Sequence, residues 1–93
     1  VMRDTWQDTF LIRNKLGLHA RAATILAQLS TQFDADIVLY QGDKSAPGDS
    51  VLALLLLESS QGKTVRVECT GPDAKGALHA IGNLIEDKFH EAE

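Results

Sequence analysis

The stretch Asp49–Gly62, "DSVLALLLLESSQG", holds an apolar run from Val51 to Leu57 with no clean two-residue or 3.6-residue period. Read as a strand, it adds to a sheet. Read as a helix, it adds to whatever covers that sheet. Composition favours the second reading. Leucine and alanine are good helix formers without β-branching, and Asp49 or Ser50 can cap a helix start, so the stretch predicts a short helix through Leu56.

The flanks are easier to read. Gly62 begins a return to "KTVRVECT", where Val65, Val67 and Cys69 alternate with Arg66, Glu68 and Thr70 as in a strand with one buried face. Pro72 and Asp73 then suit a helix entrance, and Ala77, Leu78, Ile81, Leu84 and Ile85 form an apolar stripe ending near Phe89. Gly76 and Gly82 each cost such a helix about 1 kcal/mol relative to alanine. Close packing against a neighbour and simple tolerance both explain them at this stage. Upstream, "DKSAPG" allows no more than a turn and a short edge strand, and "ADIVLYQG" reads as a strand ending at Gly42. A helix over Ala20–Ser30 follows from the spacing of Ala22, Ala23, Leu26 and Leu29, with Thr24, Gln28 and Thr31 toward water. A first strand over Gln7–Arg13 would put Phe10 and Ile12 on one face.

The order is therefore β, α, β, β, short α, β, long α. Four strands cannot keep an apolar face dry alone, so the expected α+β arrangement is one antiparallel sheet covered on one side by helices. Its split-βαβ appearance is shared by proteins of several functions.

The 93 residues fit one domain, 1–93. With 44% hydrophobic and 24% charged residues, the composition is that of a folded protein. A net charge of −4 disfavours broad attraction to nucleic acid or to an anionic membrane. Cys69 is alone, which rules out an intramolecular disulfide and fits a reducing compartment. The longest apolar run falls far short of the roughly 20 residues that span a bilayer. A cytoplasmic location is expected, although Val1 and Met2 leave the true start open.

"NKLGLHARAATILAQL", Asn14–Leu29, sets His19 and Arg21 where loop gives way to helix. A helix start leaves about four backbone N–H groups unpartnered and carries about half a positive charge, which suits a phosphate or another anion. Arg21 can add a forked, permanently charged donor if it curves back to the mouth. A histidine near neutrality is partly unprotonated and hence a nitrogen nucleophile. One His near one Arg is a weak signal, and a surface or capping histidine accounts for it as well. His79, His90 and Cys69 make no metal spacing, and "GDK" around Lys44 lacks the glycine pattern of a nucleotide loop. No metal or cofactor is expected.

Three features carry a family resemblance: "NKLGLHARAA", "SVLALLLLESSQGKTVRVECTGP", and the order of the elements between Thr9 and Phe89. The chain resembles the HPr family of histidine-containing phosphocarrier proteins, and most of all its nitrogen-related branch. The resemblance implies an HPr-like open-faced β-sandwich, a four-stranded antiparallel sheet covered on one side by three helices. It implies that His19 carries a phosphoryl group on Nδ1, accepted from enzyme I and ultimately from phosphoenolpyruvate, then passed to an enzyme IIA protein. In the nitrogen branch that relay is mainly regulatory. Arg21 matches the family's active-site arginine, and the backbone of Ala20, Arg21, Ala22 and Ala23 would help hold the phosphoryl oxygens. Val51, Leu52 and Leu55 match the partner-docking patch; burial of all the leucines is the competing reading. Ser50 matches the serine that an HPr kinase modifies in some lineages, although an ordinary helix cap is the favoured role. Ala22 departs from the pattern, since proline commonly follows the arginine; the change restores an N–H and releases φ without deleting either chemical side chain. The alternatives from other classes are a noncatalytic ACT-like small-ligand sensor and an interaction domain using only the apolar short helix.

Overall fold

A computed structural model describes residues 4–93, leaving Val1 and Met2, and with them the question of the chain's start, outside the described residues. The elements follow as β1 (Thr5–Leu11), α1 (Ala20–Ser30), β2 (Asp36–Gln41), β3 (Lys44–Pro47), α2 (Val51–Leu56), β4 (Thr64–Thr70) and α3 (Ala74–Glu86). A single 3₁₀ turn, Lys88–His90, comes after α3. The strands pair antiparallel in the order β1-β4-β2-β3.

Alternation along β4 produces the two-layer build. Its buried residues Val65, Val67 and Cys69 pair across the ladder with Phe10, Leu39 and Ile37. Leu26 of α1, Leu54 of α2 and Ile81 and Ile85 of α3 belong to the same core, which places the three helices on that face. The other face of the sheet carries Thr64, Arg66, Glu68 and Thr70 of β4. There the Arg66 guanidinium lies 4.1 Å from the centre of the Tyr40 ring and donates to Gln7 and Glu68.

The ambiguous apolar run is a helix, as its composition predicts. Ser50 is its N-cap, with Oγ accepting the Ala53 N–H at 3.2 Å. The two glycines of α3 have different explanations. A Cβ on Gly82 would lie 2.6 Å from the Phe10 ring, so the glycine permits α3 to sit down on β1; Gly76 faces nothing closer than Phe33 at 3.8 Å and is simply tolerated.

Two boundaries differ from the sequence reading. β1 runs Thr5–Leu11 instead of Gln7–Arg13. It is an edge strand exposed along nearly its whole length, so apolar patterning marks only the part where Phe10 and Ile12 approach the core. α3 stops at Glu86, short of Phe89. Lys88, Phe89 and His90 then take φ of +57°, +54° and +66°, a left-handed run that ends the right-handed helix while Phe89 stays completely buried. Side-chain periodicity cannot register a change of backbone hand that keeps the next apolar residue inside.

Candidate functional site

The residues before α1 are held to the segment that follows α2. Leu18 is buried and its N–H donates to the Ser59 carbonyl at 2.8 Å. Gly17 makes this approach possible. Its φ is +64°, and a Cβ there would lie 2.6 Å from the Ser59 oxygen. Asn14, fully buried, closes the turn by donating from Nδ2 to the Gly17 carbonyl at 2.7 Å.

This loop delivers His19 to the N-cap of α1 with extended backbone, φ −84° and ψ −177°. The helical hydrogen bonds begin with the Ala23 N–H on the His19 carbonyl, so the N–H groups of Ala20, Arg21 and Ala22 precede that first bond at the mouth. The His19 ring makes no cap hydrogen bond. Its Nε2 meets the Glu91 carboxylate at 2.5 Å instead. The capping reading of this histidine therefore fails for its side chain.

Glu91 was not legible as part of this cluster. Its Oε1 accepts from Asn14 Nδ2 at 3.1 Å, and its Oε2 faces both His19 and Arg21 Nη1, the latter at 3.5 Å. Arg21 also donates to the Phe89 carbonyl at 3.5 Å, so it does curve back toward the mouth, held by long contacts. The Lys15 N–H donates to the Glu93 backbone oxygen, drawing the chain after Phe89 along the loop. Burial of the Glu91 carboxyl works against its ionisation. Hydrogen bonds from His19 and Asn14, with the charges of His19 and Arg21, outweigh that and hold it below the usual carboxylate range. Lys15, Leu16, His19, Arg21 and Glu91 line one open hollow.

Helix α2 divides its apolar run. Leu54 and, just beyond the helix, Leu57 are buried, whereas Leu52 and Leu56 are 68% and 65% exposed. Leu55 is exposed and Val51 half-buried. Burial of every leucine is thus excluded. α2 packs against α1, and Leu16, 67% exposed and three residues before His19, adds apolar surface that the sequence reading did not single out. Ser50 lies at the start of this patch as a helix cap. Among the described residues, no group of three or more His, Cys, Asp or Glu side chains is arranged to hold a metal, and no helix is long and apolar enough to cross a membrane.

Comparison with known proteins supplies the family. Phosphocarrier protein NPr of Shewanella violacea is 56% identical over 81 residues, covering 87% of this chain and 89% of the relative. Phosphocarrier protein NPr of Escherichia coli is 42% identical over 88 residues, covering 94% and 98%. Among solved structures, HPr-C-His from Thermoanaerobacter tengcongensis superposes with a TM-score of 0.90 at 34% identity, covering 95% of this chain and 99% of that one. The sequence model described as "PTS HPr component phosphorylation site" matches residues 6–87. With the sheet order, the three helices on one face and the histidine at the mouth of α1, this places the chain in the HPr family, as an HPr/NPr-type phosphocarrier protein of the phosphotransferase system.

Proposed function

We propose that His19 accepts a phosphoryl group from enzyme I and passes it to an enzyme IIA protein in a regulatory relay of the nitrogen-related branch. The observation that carries this reading is the placement of His19. The ring stands at the mouth of α1, beside the early backbone N–H groups, in a hollow it shares with the Arg21 guanidinium. Phosphoryl transfer asks a protein mainly to position the reactants and stabilise charge on the moving oxygens. Ala20, Arg21 and Ala22 contribute backbone donors, the expected fourth at Ala23 being taken by the His19 carbonyl at 2.8 Å, and Arg21, 55% exposed along its side chain, can swing onto the oxygens. Identities of 56% and 42% to two NPr proteins support the branch, against 35–37% to four proteins named HPr.

Docking falls to Val51, Leu52 and Leu55, extended by Leu56 and Leu16. Exposed apolar groups beside a charged hollow are a common interaction signature. Ser50 serves as the cap of α2, and modification by an HPr kinase would add about −1.5 to −2 charge at the edge of that patch. The protein works in the cytoplasm, where phosphoenolpyruvate is available.

The test uses purified protein, enzyme I and phosphoenolpyruvate. Acid-labile, alkali-stable phosphate is expected on His19 and is expected to be absent from H19A. Failure of the unmodified protein to charge, or undiminished charging of H19A, would overturn the reading.

A further inference from the structure

We propose that Glu91 is a positioning residue for His19: its carboxylate takes the hydrogen bond of the Nε2 proton, leaves Nδ1 with its lone pair, and offsets the positive charge that the ring gains while phosphorylated. This rests on the phosphocarrier reading of His19. The starting point is the 2.5 Å contact between Nε2 and Glu91 Oε2. An ionised carboxylate only accepts hydrogen bonds, so the shared proton resides on Nε2. A neutral imidazole has one N–H; with it on Nε2, Nδ1 is the unprotonated nucleophile.

Three features show that the contact is built into the fold. Phe89 is fully buried and anchors the chain two residues before Glu91. Lys88, Phe89 and His90 all adopt left-handed φ, a conformation unfavourable for non-glycine residues, and the chain leaves this turn with Glu91 against Asn14 and His19 of the loop. The buried Asn14 amide donates both to Gly17 and to Glu91, tying the carboxylate to the same turn that presents His19. The carboxylate and the ring are thereby fixed to one frame, the arrangement by which an acidic group orients a catalytic imidazole. Arg21 is different. Its 3.5 Å contact with Glu91 is long and its side chain is half exposed, so it is free to turn to a phosphoryl group while Glu91 stays with the ring.

The chemistry balances without losing a proton. The Nδ1 lone pair forms the N–P bond as the bond from phosphorus to the donor protein's phosphorylated side chain breaks, and the donor atom keeps that electron pair. Nε2 retains its hydrogen, so the ring becomes cationic opposite the Glu91 carboxylate. Delivery to the acceptor reverses these changes and restores the neutral ring.

The experiment compares unmodified protein, Glu91→Ala and Glu91→Gln. Proton NMR reads the His19 Nε2–H resonance, and charging by enzyme I and phosphoenolpyruvate gives the rate of acid-labile phosphate formation. Unmodified protein is expected to show a downfield, slowly exchanging Nε2–H. E91A should lose it and charge about tenfold more slowly, a smaller loss than removal of a buried triad aspartate causes, because the contact is partly open to water. E91Q, which accepts a hydrogen bond without charge, should keep the resonance and charge at an intermediate rate. An unchanged amide spectrum around Phe89 checks that the fold is intact. Charging of E91A at the unmodified rate, or absence of the resonance from the unmodified protein, would overturn the proposal. Unmodified protein that shows the resonance and is never charged would instead sink the carrier reading, and this role with it.

Discussion

Two histidine–carboxylate pairs lie close together in this molecule with the same separation, 2.5 Å: His19 with Glu91, and His90 with Asp87. Their surroundings differ. The first joins side chains that are 27% and 13% exposed and distant in sequence, and the carboxylate also receives Asn14. The second joins neighbours on one turn, 60% and 63% exposed. Water competes freely for the second pair and only partly for the first, so equal distances should have unequal consequences. Glu91 is placed by a buried anchor and a buried amide, while the pair beside it in sequence rides on the same turn.

Phe89→Ala is expected to give the largest effect. Removing a fully buried phenylalanine typically costs about 3–5 kcal/mol, and here it also releases the chain that carries Glu91. The urea midpoint should fall accordingly, and the His19 Nε2–H resonance should broaden into exchange with water in whatever protein remains folded. The His90–Asp87 pair would survive that change and should rescue neither. A variant that loses less than about 1 kcal/mol and keeps the resonance would show that polar contacts alone hold the tail.

Acid should separate the pairs next. The Glu91 carboxyl has a lower pKa folded than unfolded, so the folded state binds fewer protons in that range. Its contribution to stability is complete above the ordinary glutamate value of about 4.3, and is lost as pH falls from there through the lowered folded value. Unmodified protein should therefore be more stable than E91Q at pH 7, with the two urea midpoints converging toward pH 3. A gap that persists undiminished at pH 3 would mean that Glu91 acts through packing instead of charge.

The same contrast explains what could be read from the residues alone. Local periodicity exposed α1, β4 and most of α3, because each presents one repeating face to the core. The seven-residue apolar run that contains α2 has no period, yet its leucines and the Ser50 cap settled its type. His19 and Arg21 were legible because they fall two residues apart at a helix start and carry the family resemblance. Glu91 was not. Nothing in "FHEAE" distinguishes it from Glu93, and it follows a left-handed turn at residues without glycine or asparagine. Asn14 was hidden for a related reason, since a buried asparagine in a turn is recognisable only once its second partner is known. Leu16 and Leu56 were passed over because exposure of a leucine depends on which neighbours fail to cover it.

The smallest expected effect belongs to the outer pair, and two opposing terms make it small. Asp87 is the C-cap of α3, where the helix dipole disfavours a negative charge. His90 offers a partner that offsets this, but both side chains are mostly in water. Asp87→Ala removes the favourable pair and the unfavourable dipole contact together, so its stability should stay within about 0.5 kcal/mol of the unmodified protein. Any difference should shrink in 1 M salt, where the screening length is about 3 Å. Charging by enzyme I should likewise be the same for D87A and H90A as for unmodified protein. A tenfold loss in D87A would show that the outer pair takes part in holding Glu91 on His19, and that the exposed turn and the buried anchor act as one unit.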